Sequence, residues 1–150
     1  MRDLISTDLF AGVEKTITTG ISQLMEQGQR ISIISDANLL GALSIAPLEA
    51  SLIDSNFPYR RRIGNIDYTI PGNSIVIHNY GDTKGVLWDN EKKILSISET
   101  LSPALSGHLG DDKIGPLTTV AMCHSIAQLI SPSGVLVRKI RPWSISGNWI

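Results

Sequence analysis

A chain of 150 residues with 42% hydrophobic and 18% charged side chains can bury a core without disulfides or metal, which excludes a disordered chain. Its formal net charge of -1 gives no global field for a polyanion, so any nucleic-acid contact has to rest on a local patch. A lone cysteine, Cys123, excludes an internal disulfide and reads as a buried, reduced thiol of a cytosolic protein.

The start, Met1-Arg2-Asp3-Leu4, lacks the apolar stretch of a signal peptide, and no apolar run approaches the roughly 20 residues of a membrane span. One domain over 1–150 and a cytoplasmic, nucleoid-associated location are the expectation, with no linker or internal repeat.

Residues 6–27 read as a helix that Ser6 or Thr7 can cap, with Leu9, Val13, Ile17, Ile21 and Leu24 at three- and four-residue spacing. Gly12 and Gly20 each weaken it by roughly 1 kcal/mol relative to alanine, and Gly28 ends it. Arg30–Ser35 is a β-branched strand followed by a loop. Leu43–Asn56 is the next helix, with Leu43, Ala46, Ala50 and Ile53 on its inner face, and Tyr59–Ile63 is a strand. Strand, loop, helix and strand in this order make a right-handed βαβ unit, hence a parallel sheet. Ser74–His78 is a buried strand, and Gly85–Trp88 with Lys93–Ile97, flanking Asp89-Asn90-Glu91, read as a hairpin or as an edge strand leading back into the sheet.

Ser102–Pro116, rich in Gly, Pro and Asp, reads as an irregular loop. Leu117–Ile130 is an apolar helix and Gly134–Val137 a last strand. The predicted fold class is α/β, a mostly parallel twisted sheet with helices on both faces. The tail carries Trp143 and Trp149 beside Arg138, Lys139 and Arg141, and either packs back on the domain or joins a contact surface.

In an open α/β sheet the functional crevice lies beyond the C-terminal ends of the strands, which selects Ser35–Gly41, His78–Gly81 and Ser98–Thr100. Ile31 to Ser44 reads as a strand running through Asp36-Ala37-Asn38-Leu39-Leu40-Gly41 into a helix. Ile75-Val76-Ile77-His78-Asn79-Tyr80-Gly81 is an apolar strand ending Asn-x-Gly.

In layout, from Ile31 to Ile130, this resembles the DHH phosphoesterase family, which includes the RecJ single-strand exonucleases and the eukaryotic replisome subunit Cdc-forty-five. The family's first strand runs into His-x-Asp-x-Asp-Gly, against which Gly41 matches the glycine and Asp36, Asn38 and Leu40 stand at the ligand positions. Its Asp-x-Gly motif falls on Asn79 and Gly81, its Asp-His-His motif near Ser98, Glu99 and Thr100, and its later small-residue helix on Leu117–Leu129.

A two-metal hydrolase needs several carboxylates and imidazoles to hold its cations, whereas Asn38 and Asn79 are neutral and Leu40 offers no donor. The second domain that completes RecJ-type active sites is not expected here. The resemblance, with its missing ligands, implies a pseudo-enzyme without metal, other cofactor or small-molecule substrate, like the archaeal RecJ-like replisome proteins. It implies binding to the GINS complex and through it to the MCM helicase, with at most a weak DNA contact. The competing expectation is a divergent metal-dependent phosphoesterase or nuclease acting on short nucleic acids or nucleotides, and a lesser one is a nucleotide-binding sensor.

Arg60, Arg61 and Arg62 form the densest positive cluster; on a strand, Arg60 and Arg62 share one face and Arg61 takes the other. They are either solvated edge charges or a contact to phosphate, DNA or an acidic partner. His78 and His108 read as structural, since no second imidazole stands at ligand spacing. Gly107-His108-Leu109-Gly110-Asp111-Asp112 lacks the Lys-Ser/Thr that a phosphate loop requires.

Overall fold

Two short 3-10 turns, Leu4–Ser6 and Asp8–Phe10, lead into helix α1 (Glu14–Glu26), so the predicted 6–27 helix is broken at Ala11-Gly12. Gly28, at φ +61°, turns the chain out of the helix as expected. Strand β1 (Ile31–Ser35), helix α2 (Leu39–Asp54) and strand β2 (Tyr59–Ile63) form a parallel βαβ unit. They are followed by β3 (Ser74–His78) and the antiparallel pair β4 (Val86–Asp89) and β5 (Ile94–Ser98). A second antiparallel pair, β6 (Thr100–Ser106) and β7 (Asp112–Leu117), precedes helices α3 (Thr119–Ile130) and α4 (Val135–Ser146). The computed structural model of the chain describes residues 4–66, 69–79, 85–106 and 108–146, apart from the side chains of 103–106, 112, 145 and 146.

The five-stranded sheet has the order β2-β1-β3-β5-β4, all parallel except the β4 edge. Register sorts its side chains into two faces. Ile33, Ile75 and Leu95 stand in line on one face, and they join Ile31, Ile77 and Ile97 in a core with Ile17, Ile21 and Leu24 of α1. The same core takes Ile45, Leu48 and Leu52 of α2 and Met122, Cys123 and Ile126 of α3. All three helices therefore cover one face.

The other face presents Ile34, Val76 and Ile94, packed against Ile66 and Ile70 of the crossover from β2 to β3. The β1-to-β2 and β2-to-β3 connections run in opposite directions along the sheet, so right-handed crossovers must pass on opposite faces, and the second passage is too short to hold a helix. The α/β class and the mostly parallel sheet are as read from the sequence; the expected helices on both faces are corrected to helices on one.

Four further expectations change. Residues 102–116 are not an irregular loop but most of the β6–β7 hairpin, where a register shift between Ser102 and Leu105 breaks the alternation a strand would show. Gly134–Val137 opens α4 rather than a strand, because the Asp54 carboxylate, arriving from the far end of α2, accepts the Leu136 (2.9 Å) and Val137 (3.1 Å) N–H groups. In α2 the inner face is Ile45, Leu48 and Leu52, while Ala50 packs with Val137 and Ile140 of α4 and Ile53 is 52% exposed. That helix also starts at Leu39 rather than Leu43, since the Asn38 side chain caps it. No helix among the described residues is long and apolar enough to cross a membrane.

Cys123 is fully buried, which pushes its thiol pKa far up and leaves no thiolate for nucleophilic work near neutral pH. Its neighbour His124 is buried with neither ring nitrogen partnered among the described residues. Burial pushes the His124 pKa down, and the Arg141 guanidinium pushes it further.

Two outcomes follow from this packing. Asp54→Ala removes the acceptor at the start of α4 and is expected to cost about 1 kcal/mol, read as a lower urea midpoint with faster amide exchange in α4. Above about pH 6.5 His124 is neutral folded and unfolded; below it the unfolded chain takes up a proton that the fold resists. Stability should therefore fall as pH drops from about 6.5, by at most ~1.4 kcal/mol per unit for this group, until the lowered folded pKa is reached. His124→Leu should unfold at an equal or higher urea concentration at pH 7.5 and lose less on acidification to pH 5.5; equal losses in both proteins would refute the assignment.

Candidate functional site at the strand ends

Strand β2 lies on one side of β1 and β3 on the other, so the connections leaving these strands diverge. The gap between the C-terminal ends of β1 and β3 is the topological switch point, where open α/β sheets hold their ligands. Asp36 follows β1 and Asn79 follows β3, and they meet there: the Asn79 backbone N–H donates to Asp36 Oδ2 at 3.1 Å. Asn38 caps α2, its Oδ1 accepting the Gly41 N–H at 2.7 Å and the Asn79 Nδ2–H at 3.5 Å. Asn79 Oδ1 in turn accepts from Thr119 Oγ1 at 2.8 Å, and Thr119 Oγ1 accepts from Ser44 Oγ at 3.1 Å. One chain of hydrogen bonds thus ties the end of β3 to both α2 and α3.

Gly41 is buried in the first turn of α2, and a Cβ there would run into the Asp36 carbonyl oxygen and Ser35 Oγ. The Asp36 contact is backbone and cannot yield without moving the chain, which gives a physical reason for glycine at this position. Leu40, in the same turn, is half-buried and supplies no donor atom. His78 closes β3 half-buried; burial lowers its pKa and the Asp36 carboxylate partly offsets that.

Gly81 lies outside the described residues. Ser98 does stand beside His78 in the sheet register, but its hydroxyl donates to the Gly85 carbonyl at 2.9 Å. Glu99 is exposed and Thr100 opens β6.

Of the expected positions, the structure brings together Asp36, Asn38, Gly41 and Asn79. It adds Thr119 and Ser44, which the sequence reading passed over. The signal for Thr119 lies in Thr118-Thr119: the Thr118 side chain caps α3, so the helix begins at Thr119 and not at the expected Leu117. Ser44 has no local signal inside an apolar helix; only the meeting of α2 and α3 gives it a role.

The donor set is one carboxylate, two side-chain amides and two hydroxyls. Among the described residues no group of three or more His, Cys, Asp and Glu side chains is placed to hold a metal ion. These residues do not fit the two-metal centre of the DHH layout, which requires several anionic ligands converging on the cations.

The arginines of β2 alternate as expected. Arg60 and Arg62 sit on the face away from the helices, with Arg60 Nε donating to Ser32 Oγ at 2.8 Å and Arg62 Nη1 to the Thr69 carbonyl at 3.4 Å. Arg61 turns to the helical side and pairs with Glu49 at 3.0 Å. Each arginine thus has a partner within the chain. Arg138, Lys139 and Arg141 are exposed on α4, as is Trp143 at 66%; Trp149 lies outside the described residues.

Comparison with protein-family models, curated proteins and solved structures finds no match to this chain.

Gly41→Ala should destabilise the fold by about 1–3 kcal/mol, since the added methyl has to push α2 away from the end of β1. Gly12→Ala, where a Cβ meets nothing within 4 Å, is the comparison expected to change little. Urea midpoints of the two variants check the difference.

Proposed function

We propose that this chain is a non-catalytic subunit on an inactive DHH-like scaffold, acting in DNA replication by assembly: it binds a GINS-type complex and through it supports the MCM helicase. The observation that carries the reading is the crevice itself. Three positions that a DHH enzyme would give to metal ligands converge at the switch point as Asp36, Asn38 and Asn79, and there the amides bond to the protein's own backbone and hydroxyls. The choice of partners follows the resemblance in layout over Ile31 to Ile130. A direct DNA contact has a secondary place in this reading, because all three β2 arginines are engaged within the chain.

Native co-purification tests it: tagged chain at physiological levels should retrieve GINS and MCM, and retrieval of neither sinks the assignment. In parallel, purified chain with Mn²⁺ should not hydrolyse short oligonucleotides or nucleotides. Turnover that depends on Mn²⁺ and vanishes in Asp36→Ala would establish the divergent phosphoesterase instead. Asn38→Asp with Asn79→Asp would place three carboxylates in the crevice, and Mn²⁺ should then raise the melting temperature of the variant but not of the native chain.

A further inference from the structure

Away from the strand ends, an open groove of about 400 Å³ runs between α2 and α4. Ala46, Ala50 and Ile53 form one side and Leu136, Ile140 and Trp143 the other. Both triplets are spaced i, i+4, i+7, the single-face stripe with which helices pack in bundles. Seven residues of helix extend about 10 Å, or two turns. The two alanines keep the α2 side shallow. Ile53 is 52%, Leu136 36% and Trp143 66% exposed, so large apolar groups stand open along one groove rather than scattered. A half-open tryptophan beside small residues is the kind of anchor that dominates protein interfaces.

Among the described residues, the charge left without an ion pair along the rims is positive. Glu49 is the acid of the groove, and the Arg61 guanidinium holds its carboxylate at 3.0 Å. Lys139, on the opposite rim, has no ion pair among the described residues. Helix α4 contains Arg138, Lys139 and Arg141 and no acidic residue. A second copy of this chain fits poorly: one groove does not fill another, and the partner copy's Glu49 would already be engaged.

From this geometry we infer that the α2–α4 groove docks an acidic amphipathic helix of a partner protein. Its apolar residues at i, i+4 and i+7 enter between Ile53 and Trp143, and its flanking carboxylates meet Lys139 and the basic side of α4. The inference deepens the assembly reading, on which it rests, by naming the kind of segment the partner presents.

Fluorescence anisotropy on the full chain tests it with two synthetic 18-residue peptides sharing one leucine stripe, one flanked by glutamates and one by lysines. The glutamate peptide should bind at least about tenfold more tightly. Trp143→Ala should weaken it about tenfold, and Lys139→Glu should shift the preference toward the lysine peptide. Both residues are exposed, so circular dichroism should match the native chain; Leu87→Ser, exposed on β4, should bind as the native chain does.

Equal affinity for both peptides, or indifference to both groove substitutions, overturns the inference. Concentration-dependent dimerisation abolished by Trp143→Ala overturns it in favour of a second copy. Retrieval of GINS and MCM as efficiently by Trp143→Ala as by the native chain removes the groove and leaves the assembly reading standing. Mn²⁺-dependent turnover does the reverse, leaving the peptide result in place.

Discussion

The close approach of the first turn of α2 to the end of β1 fixes the working end of this molecule. It is possible only because residue 41 has no side chain: any Cβ there would occupy the space of the Asp36 carbonyl and Ser35 Oγ. With the helix seated so low, Asn38 can cap it while still facing Asn79, and Ser44, further along α2, comes within reach of Thr119. Helix α3 is drawn to the same place through Thr119 and Asn79. The positive ends of two helices therefore point at the Asp36 carboxylate, an arrangement that the helix dipoles favour.

The one-sided layering has consequences of its own. Since the β2-to-β3 connection crosses the second face without a helix, three helices crowd the first, and α4 has to stack outside them as a third layer on α2 and α3. Helix α2 thus lies between the sheet and α4. Its residues are strongly apolar overall with little one-sidedness, as a helix contacted on two sides should be. The α2 stripe of Ala46, Ala50 and Ile53 is only partly covered because α4 meets it along one edge. Asp54 anchors that edge from the end of α2.

What could be read from the residues divides along the range of the interaction involved. The strands β1, β2 and β3 and the turn between β4 and β5 are written in short β-branched runs and local turn residues, and the structure places them where the pattern does. So is the crevice, because strand ends and a glycine after a strand are local features. The start of α4 reads as a strand because Val-Leu-Val carries a β preference and its cap, Asp54, lies some eighty residues earlier in the chain. The β6–β7 hairpin was hidden by a bulge and by prolines within its strands. The inner face of α2 was misassigned for a different reason. An apolar helix packed on two sides has two stripes, and periodicity alone does not say which faces the sheet.

The chemistry of the crevice turns on what an amide does that a carboxylate does not. Two carboxylates some 4 Å apart repel by about 4 kcal/mol at an effective dielectric of 20, so a cluster of them is stable only with a cation or shared protons to offset the charge. An asparagine brings a donor and an acceptor and no charge. Asn79 uses both, accepting from Thr119 and donating to Asn38, while its backbone N–H serves Asp36. Asn38 accepts from the helix it caps. The polar groups around the one acid thus satisfy each other, and the strand ends hold together on hydrogen bonds the chain supplies itself. Among the described residues, the crevice has few free groups to offer a ligand. A surface with groups to spare is the α2–α4 groove, where Trp143 stands open and Lys139 has no ion pair among the described residues.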